Sequence, residues 1–434
     1  MSLSRWQALA GSALLVAAHA VCASTAGNPP PVPSPLDARL ALASRYLHAQ
    51  VEIDGRFIYR RDAVSGRAEH GRYNLLRHAG TVLALAEYHL EHPATPQETA
   101  AITRSLNHLR SCCMAPSGAG ADDLAVWSAP DTVGGPRSYP VAKLGGAGLA
   151  LAAMAQWRRL QPDAVALADM QALARFILSM QQPDGRFRSL HAHHTGEHDP
   201  DWVSLYYPGE AALGLLLLHD HDPNPRWLEA ALDALRALAR EREFLQHPPP
   251  DHWALLATAA LWNKNPSLLA SALPPPLSWH AAPGRTAVAP LLMAHGLSVT
   301  RFMLDEQAQA QHSGSCAPGG FTSDGRTTPT ATRLEGLLAF LPLLPAGAER
   351  DAVLAAVQDG MGFLLQAQRL EGPARGGFSR VSPVCSTDDR RASEVRIDYV
   401  QHAMAALQAY RKLLPAVSVP GSGEPRLERS TSSR

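Results

Sequence analysis

Tyr206-Tyr207-Pro208-Gly209-Glu210-Ala211-Ala212-Leu213-Gly214-Leu215-Leu216-Leu217-Leu218 is the stretch on which the fold turns. Pro208 suits a first helical turn, where its missing N–H has no intrahelical partner to lose. The run behind it is apolar on nearly every side, which predicts a helix buried all round rather than one lying on a surface. Two tyrosines and a carboxylate at its start are costly company unless they face something polar.

The same design recurs at Asn74–Thr81, Lys143–Gly148, Asp251–Ala254, Arg333–Gly336 and Asp398–Ala403. Set in register, these runs align His78, Gly145, Glu210, His252, Glu335 and His402. The intervals are 67 residues (78 to 145), 65 (145 to 210), 42 (210 to 252), 83 (252 to 335) and 67 (335 to 402). The short and long intervals compensate, so the pattern reads as six helix pairs, and a repeat of this kind decides the architecture. Inner helices are expected near 73–90, 141–157, 208–219, 250–264, 329–345 and 395–412. Outer partners are expected at 36–50, 96–112, 163–181, 224–242 and 349–369, with a short one near 265–273 and the missing long one at 285–311. Residues 52–61, around Gly55-Arg56-Phe57-Ile58-Tyr59, alternate enough for a short strand or extended loop, and 113–140 reads as a long loop. Strand signals are sparse, so the class is all-α.

Six inner helices with outer returns resemble the (α/α)6 toroids: six-hairpin glycoside hydrolases, several polysaccharide lyases and the C-terminal part of glucuronyl C5-epimerases. The resemblance covers residues 36–413 and lies in architecture. It implies that the inner helix starts crowd one mouth of a funnel. Locally, Gln181-Gln182-Pro183-Asp184-Gly185-Arg186-Phe187 is similar to the Q-x-x-x-G-x-W/F repeat of terpenoid-cyclase and prenyltransferase toroids, and Gln368 with Gly376-Gly377-Phe378 is a looser copy. In those families the motif ties one helix end to the next pair. Their D-x-D-D acid motif is missing, with Cys385-Ser386-Thr387-Asp388-Asp389 the nearest approach. Gly145-Gly146-Ala147-Gly148 echoes the G-x-x-G of lanthionine cyclases without their zinc motif.

The chain has 434 residues, 46% of them hydrophobic, which is enough for a large core. Lys+Arg and Asp+Glu both number 39, and this balance argues against a nucleic-acid partner. Residues 1–23 carry the marks of a secretory signal: Arg5, an apolar stretch from Leu9 to Val21, and Val21-Cys22-Ala23 as cleavage site. The stretch is too short for a stable membrane span, and His19-Ala20-Val21 is a poor lipobox. A periplasmic or secreted product is therefore expected, followed by a Pro-rich linker at 24–35 and, after the ring, a disordered tail at 414–434. Cleavage would leave Cys112, Cys113, Cys316 and Cys385. Four cysteines allow three pairings. Cys316–Cys385 is favoured because both lie in loops before adjacent inner helices, with Cys112 and Cys113 read as buried thiols at a helix end.

Helix N-termini gathered around a funnel favour an anionic or polyhydroxyl ligand. The candidate catalytic residues are Glu210, Tyr207, His402, Asp398 and His78. Asp398 and His402, four apart, share a helical face, and a carboxylate there can orient an imidazole. The candidate binding residues are Arg77, Tyr206, Asp201, Asp251, His252, Arg333, Glu335 and Lys143. Each has an ordinary alternative: helix-dipole partner for Glu210, satisfied core group for the histidines and tyrosines, and internal counter-ion for Arg77, Arg333 and Arg396. His191-Ala192-His193-His194-Thr195-Gly196-Glu197-His198 lacks a defined ligand geometry, so no metal or cofactor is assigned. Asp184 and Asp324, each before a glycine, read as turn residues. In the aligned ring His78, Glu210, His252, Glu335 and His402 should converge at one end, with Gly145 leaving a gap for a ligand. The function expected is that of an extracytoplasmic enzyme acting on a polysaccharide or glycoconjugate by hydrolysis, elimination or epimerisation. The rivals are a binding or assembly module using the same funnel and a toroid enzyme for an isoprenoid or peptide.

Overall fold

The computed structural model describes residues 35–71, 73–118, 120, 122–128, 140–192, 202–267 and 288–414. The expected signal, almost all of the linker, the 193–201 loop with Asp201, and the tail from 415 onward lie outside the described residues. Twelve α-helices fall within them: α1 (Pro35–Ala49), α2 (Leu75–His89), α3 (Pro96–Cys113), α4 (Leu144–Leu160), α5 (Leu167–Ser179), α6 (Tyr207–Leu218), α7 (Pro225–Arg242), α8 (His252–Lys264), α9 (Val288–His312), α10 (Thr327–Phe340), α11 (Ala348–Ala367) and α12 (Ile397–Arg411).

The even-numbered helices pack in a closed circle, α2 on α4, α4 on α6, α6 on α8, α8 on α10, α10 on α12 and α12 back on α2. The odd-numbered helices enclose them, so the fold is an (α/α)6 toroid. Composition explains which helix goes where. In α6 every residue but Leu217 is buried, whereas α7 buries one stripe, including Trp227, Ala231, Leu235 and Leu238, and turns its charges outward except Arg242 at its end. Starts are fixed by side chains. Asn74 accepts from the Leu76 and Arg77 amides (2.9 and 3.3 Å), and Thr95 with Glu98 forms a capping box on α3.

The Gln/Gly/aromatic motif has the tying role its resemblance implied. Gln181 Nε2 donates to Gly185 O (3.2 Å) and to Ala230 O on α7 (2.9 Å). Gln368 does the same to Gly376 O (3.2 Å) and to Arg39 O on α1 (2.9 Å), so this copy joins the last outer helix to the first. Gly185 and Gly376 have φ of +89° and +94°, a region that disfavours side chains. A third copy was not visible in the sequence because its insertion is longer: Gln307 Nε2 bonds Gly319 O (2.9 Å) and Ala356 O (3.0 Å).

Short strands decorate the mouth. β1 (Arg60–Asp62), β2 (Ala68–Glu69) and β7 (Glu394–Arg396) make one antiparallel sheet in the order β2-β1-β7, with Arg60 opposite Arg396. β3 (Met114–Ala115), β4 (Ala125–Ser128), β5 (Val141–Lys143) and β6 (Leu190–Ala192) make the other, in that order. β5 runs directly into α4 and β7 into α12. These sheets revise two expectations. The strand after α1 begins at Arg60, because Gly55 makes a turn and Phe57 only bridges back to Val51. The 113–140 stretch holds β3 and β4, and β5 begins directly after it at Val141. Of the short outer helix near 265–273, only residues up to 267 are described; the long outer helix is α9. Cys316 and Cys385 are bonded (Cα–Cα 5.2 Å), and Cys112 and Cys113 are also bonded to each other, at the end of α3, rather than being buried thiols.

Candidate active site

The N-terminal ends of the inner helices surround a cavity of about 420 Å³, within the roughly 300–1,000 Å³ of small-ligand sites. Arg77, Tyr206, Tyr207, Glu210, His252, Arg333, Asp398 and His402 all line it, as do Arg326, Arg380, Arg396, Trp253 and Tyr399.

The floor is built on two imidazoles. His402 Nδ1 lies 3.0 and 3.1 Å from the two oxygens of Glu335, one helix away on α10. His252 meets the His402 ring edge-on at 5.3 Å and the Tyr206 ring at 5.3 Å. Its Nε2 stands 3.5 Å from Glu335 Oε2, and neither of its nitrogens has a hydrogen-bond partner among the described residues. Burial, then the charges of His402 and Arg333, hold the His252 pKa well below the usual imidazole value, so this ring is neutral. Burial opposes charging of His402 too, but the Glu335 charge and hydrogen bond, with Asp398, outweigh it and raise its pKa. Glu335 is itself raised, by burial. Both shifts describe one pair that retains a proton.

Asp398 does not orient His402 through a hydrogen bond, contrary to the expectation from their spacing. It is clamped by Arg77 Nε (3.0 Å) and by both arms of Arg396 (2.5 and 2.9 Å). Burial raises its pKa, yet the two guanidinium groups win and keep it below the usual carboxylate range. The counter-ion alternative thus describes Arg77 and Arg396, and Arg333 is likewise matched by Glu306 (3.0 Å to each oxygen). Arg77 also reaches the Tyr59 hydroxyl at 2.5 Å.

Glu210 takes a different state. Burial, then Asp251, pushes its pKa up to about 8, so it is a neutral carboxyl near pH 7. Its Oε2 has no hydrogen-bond partner among the described residues and sits against α4, where a Cβ on Gly145 would overlap it and would stand 2.5 Å from Tyr207 Cδ1. The gap at Gly145 is therefore filled by Glu210 and Tyr207 rather than left for a ligand. Burial raises the pKa of both Tyr206 and Tyr207, which disfavours either phenolate as a base.

Other expected residues lie elsewhere. His78 faces outward between α2 and α3, 2.6 Å from Tyr73 Oη and 3.0 Å from Ser105 O, and burial lowers its pKa to about 3. The cause is a shift of one residue, about 100° on a helix, which turns Arg77 inward instead. Asp251 caps α8 through the Ala254 amide and pairs with Arg242 (2.9 Å). Lys143 is buried at the entry to α4, outside the lining. Glu335, behind His402, lies beneath the floor and borders a second cavity of about 460 Å³ lined also by Glu87, Glu91 and Lys412. Arg326 and Arg380 were missed, and each precedes or follows loop residues with no helical period to flag it. A divalent metal ion could draw on His252, Glu335 and His402, whose ligand atoms lie within 4.8 Å of one another.

No protein-family model matches the chain, and no curated protein does. Solved structures do. D-mannose isomerase superposes with a TM-score of 0.58 at 13% identity, covering 87% of this chain and 97% of that one. Cellobiose 2-epimerase from Spirochaeta thermophila gives 0.59 at 14%, covering 88% and 96%. A heparin-specific unsaturated glucuronyl hydrolase gives 0.55 at 10%, covering 87% and 97%. These likenesses establish the fold: the chain is an (α/α)6 toroid of the architecture shared by sugar isomerases, epimerases and six-hairpin glycosidases.

Proposed function

We propose that the chain is a carbohydrate-active isomerase or epimerase that removes the proton from the carbon beside the carbonyl of a reducing sugar and returns one to that carbon or to its neighbour, through an enediol. The observation that carries this reading is the pairing, on one cavity floor, of a neutral His252 with unbonded nitrogens and a protonated His402 backed by Glu335. His252 takes the proton from the carbon beside the open-chain carbonyl, and His402 gives its proton to the carbonyl oxygen, forming the enediol. Delivery of the His252 proton to the first carbon, with His402 taking the proton from the hydroxyl of the second, gives the ketose. Delivery to the opposite face of the second carbon, with His402 taking back the proton of the first oxygen, gives the epimer, so no outside oxidant or reductant is needed. The arginines along the wall favour the oxygen charge that develops on the way. Hydrolysis by two carboxylates is less well supported. Asp398 has both oxygens held by guanidinium groups, and Glu210 is turned against Gly145. Among the solved structures, D-mannose isomerase and cellobiose 2-epimerase have names in keeping with this chemistry.

The signal-like residues 1–23 and the Cys316–Cys385 bond support a place of action outside the cytoplasm. The test is incubation with D-mannose, D-glucose or cellobiose in D2O. Deuterium entering at C2, or a new ketose or epimer, is expected from the wild type and should fall by about 10²–10⁴-fold in His252→Asn and in His402→Asn. Wild-type protein that binds sugars in the cavity yet exchanges no C–H proton would instead favour the binding-module reading.

A further inference from the structure

At the opposite end of α2 from the cavity, three side chains from α1, α2 and α3 meet. His48 of α1 and His89 of α2 face each other with Nε2 atoms 2.9 Å apart. Glu98 of α3 completes the group, and one ligand atom from each lies within 4.8 Å of the other two. His89 Nδ1 lies 2.9 Å from the His92 carbonyl, which only a protonated nitrogen can satisfy, so its Nε2 carries a lone pair. His92 is held in turn by stacking on Tyr88 at 4.2 Å between ring centroids. This is the outer-shell arrangement that fixes a ligating histidine: one nitrogen bound to a carbonyl, the other aimed at the metal.

Left to themselves, the two rings can share one hydrogen. His48 would then donate from Nε2 and leave Nδ1 bare, and that atom is buried with no partner among the described residues. Glu98 uses Oε2 for the Thr95 capping box and adds a carboxylate beside two imidazoles. We infer that His48, His89 and Glu98 form a structural site for a divalent transition-metal ion of the zinc type. Two imidazoles and a carboxylate suit zinc better than magnesium or calcium, which prefer oxygen ligands alone. Zinc–nitrogen bonds of about 2.0–2.1 Å put two ligands on a tetrahedral ion roughly 3.3 Å apart. The Nε2 atoms need separate by only a few tenths of an ångström from 2.9 Å, with each ring tilting so that its lone pair leaves the line between them. Water would supply the fourth position.

The place of the site gives it a purpose. α1 is where the ring closes: Gln368 and Arg39 join it to α11, and α1 packs on α12. An ion held by α1, α2 and α3 would lock the first unit at that seam, and its binding energy would count toward folding.

The experiment uses untagged, chelator-treated full-length protein titrated with Zn²⁺ by calorimetry, with thermal unfolding in parallel. His193, His194 and His198 are replaced by serine in one background, to separate this site from the histidine-rich segment. The expected result is one equivalent of zinc that survives those replacements, raises Tm, and is weakened by about 100-fold or more in His48→Gln or His89→Gln, at the upper end of what losing even an outer-shell partner costs. Glu98→Gln, which keeps the capping box, should weaken it as well. Anomalous diffraction at the zinc edge should place the ion about 2.0–2.1 Å from both Nε2 atoms. Zinc lost with the serine replacements, zinc located at His252 and His402 instead, or binding unchanged in His48→Gln would overturn the assignment.

Discussion

Replacing Glu210 with glutamine should stabilise the protein, and by an amount that depends on pH in a defined direction. Folding raises the Glu210 pKa from about 4.5 to about 8, because burial and the nearby Asp251 penalise its charge. Between those values the folded chain keeps a proton that the unfolded chain has released. Stability must then fall as pH rises, at about 1.4 kcal/mol per unit. Over roughly 3.5 units the loss reaches the order of 5 kcal/mol, and it levels off above the folded pKa. Glutamine has the shape of the neutral carboxyl and no such penalty. The variant should match wild type near pH 4.5 and exceed it increasingly up to pH 8. Buried neutral histidines such as His78 and His295 pull wild-type stability the other way, since both titrate lower when folded (about 3 in each case). Taking the difference between variant and wild type, by urea unfolding at each pH, cancels them. A difference that stays flat, or that favours wild type at pH 8, would mean the carboxylate is ionised and has a partner, and the reading of Glu210 as a neutral wall residue would be wrong.

Three further outcomes follow from the same geometry. Glu335→Gln removes the charge that raises His402, so the His402 imidazole should titrate at lower pH; ¹⁵N-histidine NMR checks this, and an unmoved titration would show that Asp398 alone sustains the shift. Gly185→Ala forces a side chain into φ +89° and brings Cβ to 2.5 Å of Asp233 O; a loss of at least about 1–2 kcal/mol is expected, read as a lowered urea midpoint. Reducing the Cys316–Cys385 bond, which spans 69 residues, should cost about 2–4 kcal/mol, seen as a drop in Tm with reductant that a Cys316→Ser/Cys385→Ser variant no longer shows.

The fold was legible because burial all round leaves a plain mark: Ala/Leu/Gly runs with polar starts, repeated at a nearly fixed interval. The site was legible only in part, since its geometry depends on how far each helix is turned about its axis, and interval counting carries no such information. A one-residue difference in α2 put Arg77 into the cavity and His78 into the core. The partner of His402 was sought four residues away on its own helix, at Asp398, but Asp398 is held by two arginines, one of them on α2, and Glu335 arrives from α10. Pairings across helices are set by packing, and no spacing within one helix announces them.

Gly145 makes the same point about a residue that was noticed. Its lack of a side chain does mark a place where something approaches closely. What approaches is decided by α6, which brings Glu210 and Tyr207 against that bare turn of α4. The glycine and the glutamate are therefore one feature, a seat and its occupant. A side chain at position 145 would displace the carboxyl from its buried position. By the reasoning that gives Glu210 its raised pKa, Gly145→Ala should free that carboxyl toward the cavity and return its titration toward the ordinary range. Infrared spectroscopy of the protonated carboxyl band across pH 5–9 would follow this directly. A band that persists to pH 8 in the alanine variant would separate the glycine from the glutamate's protonation and leave burial by other residues as its cause.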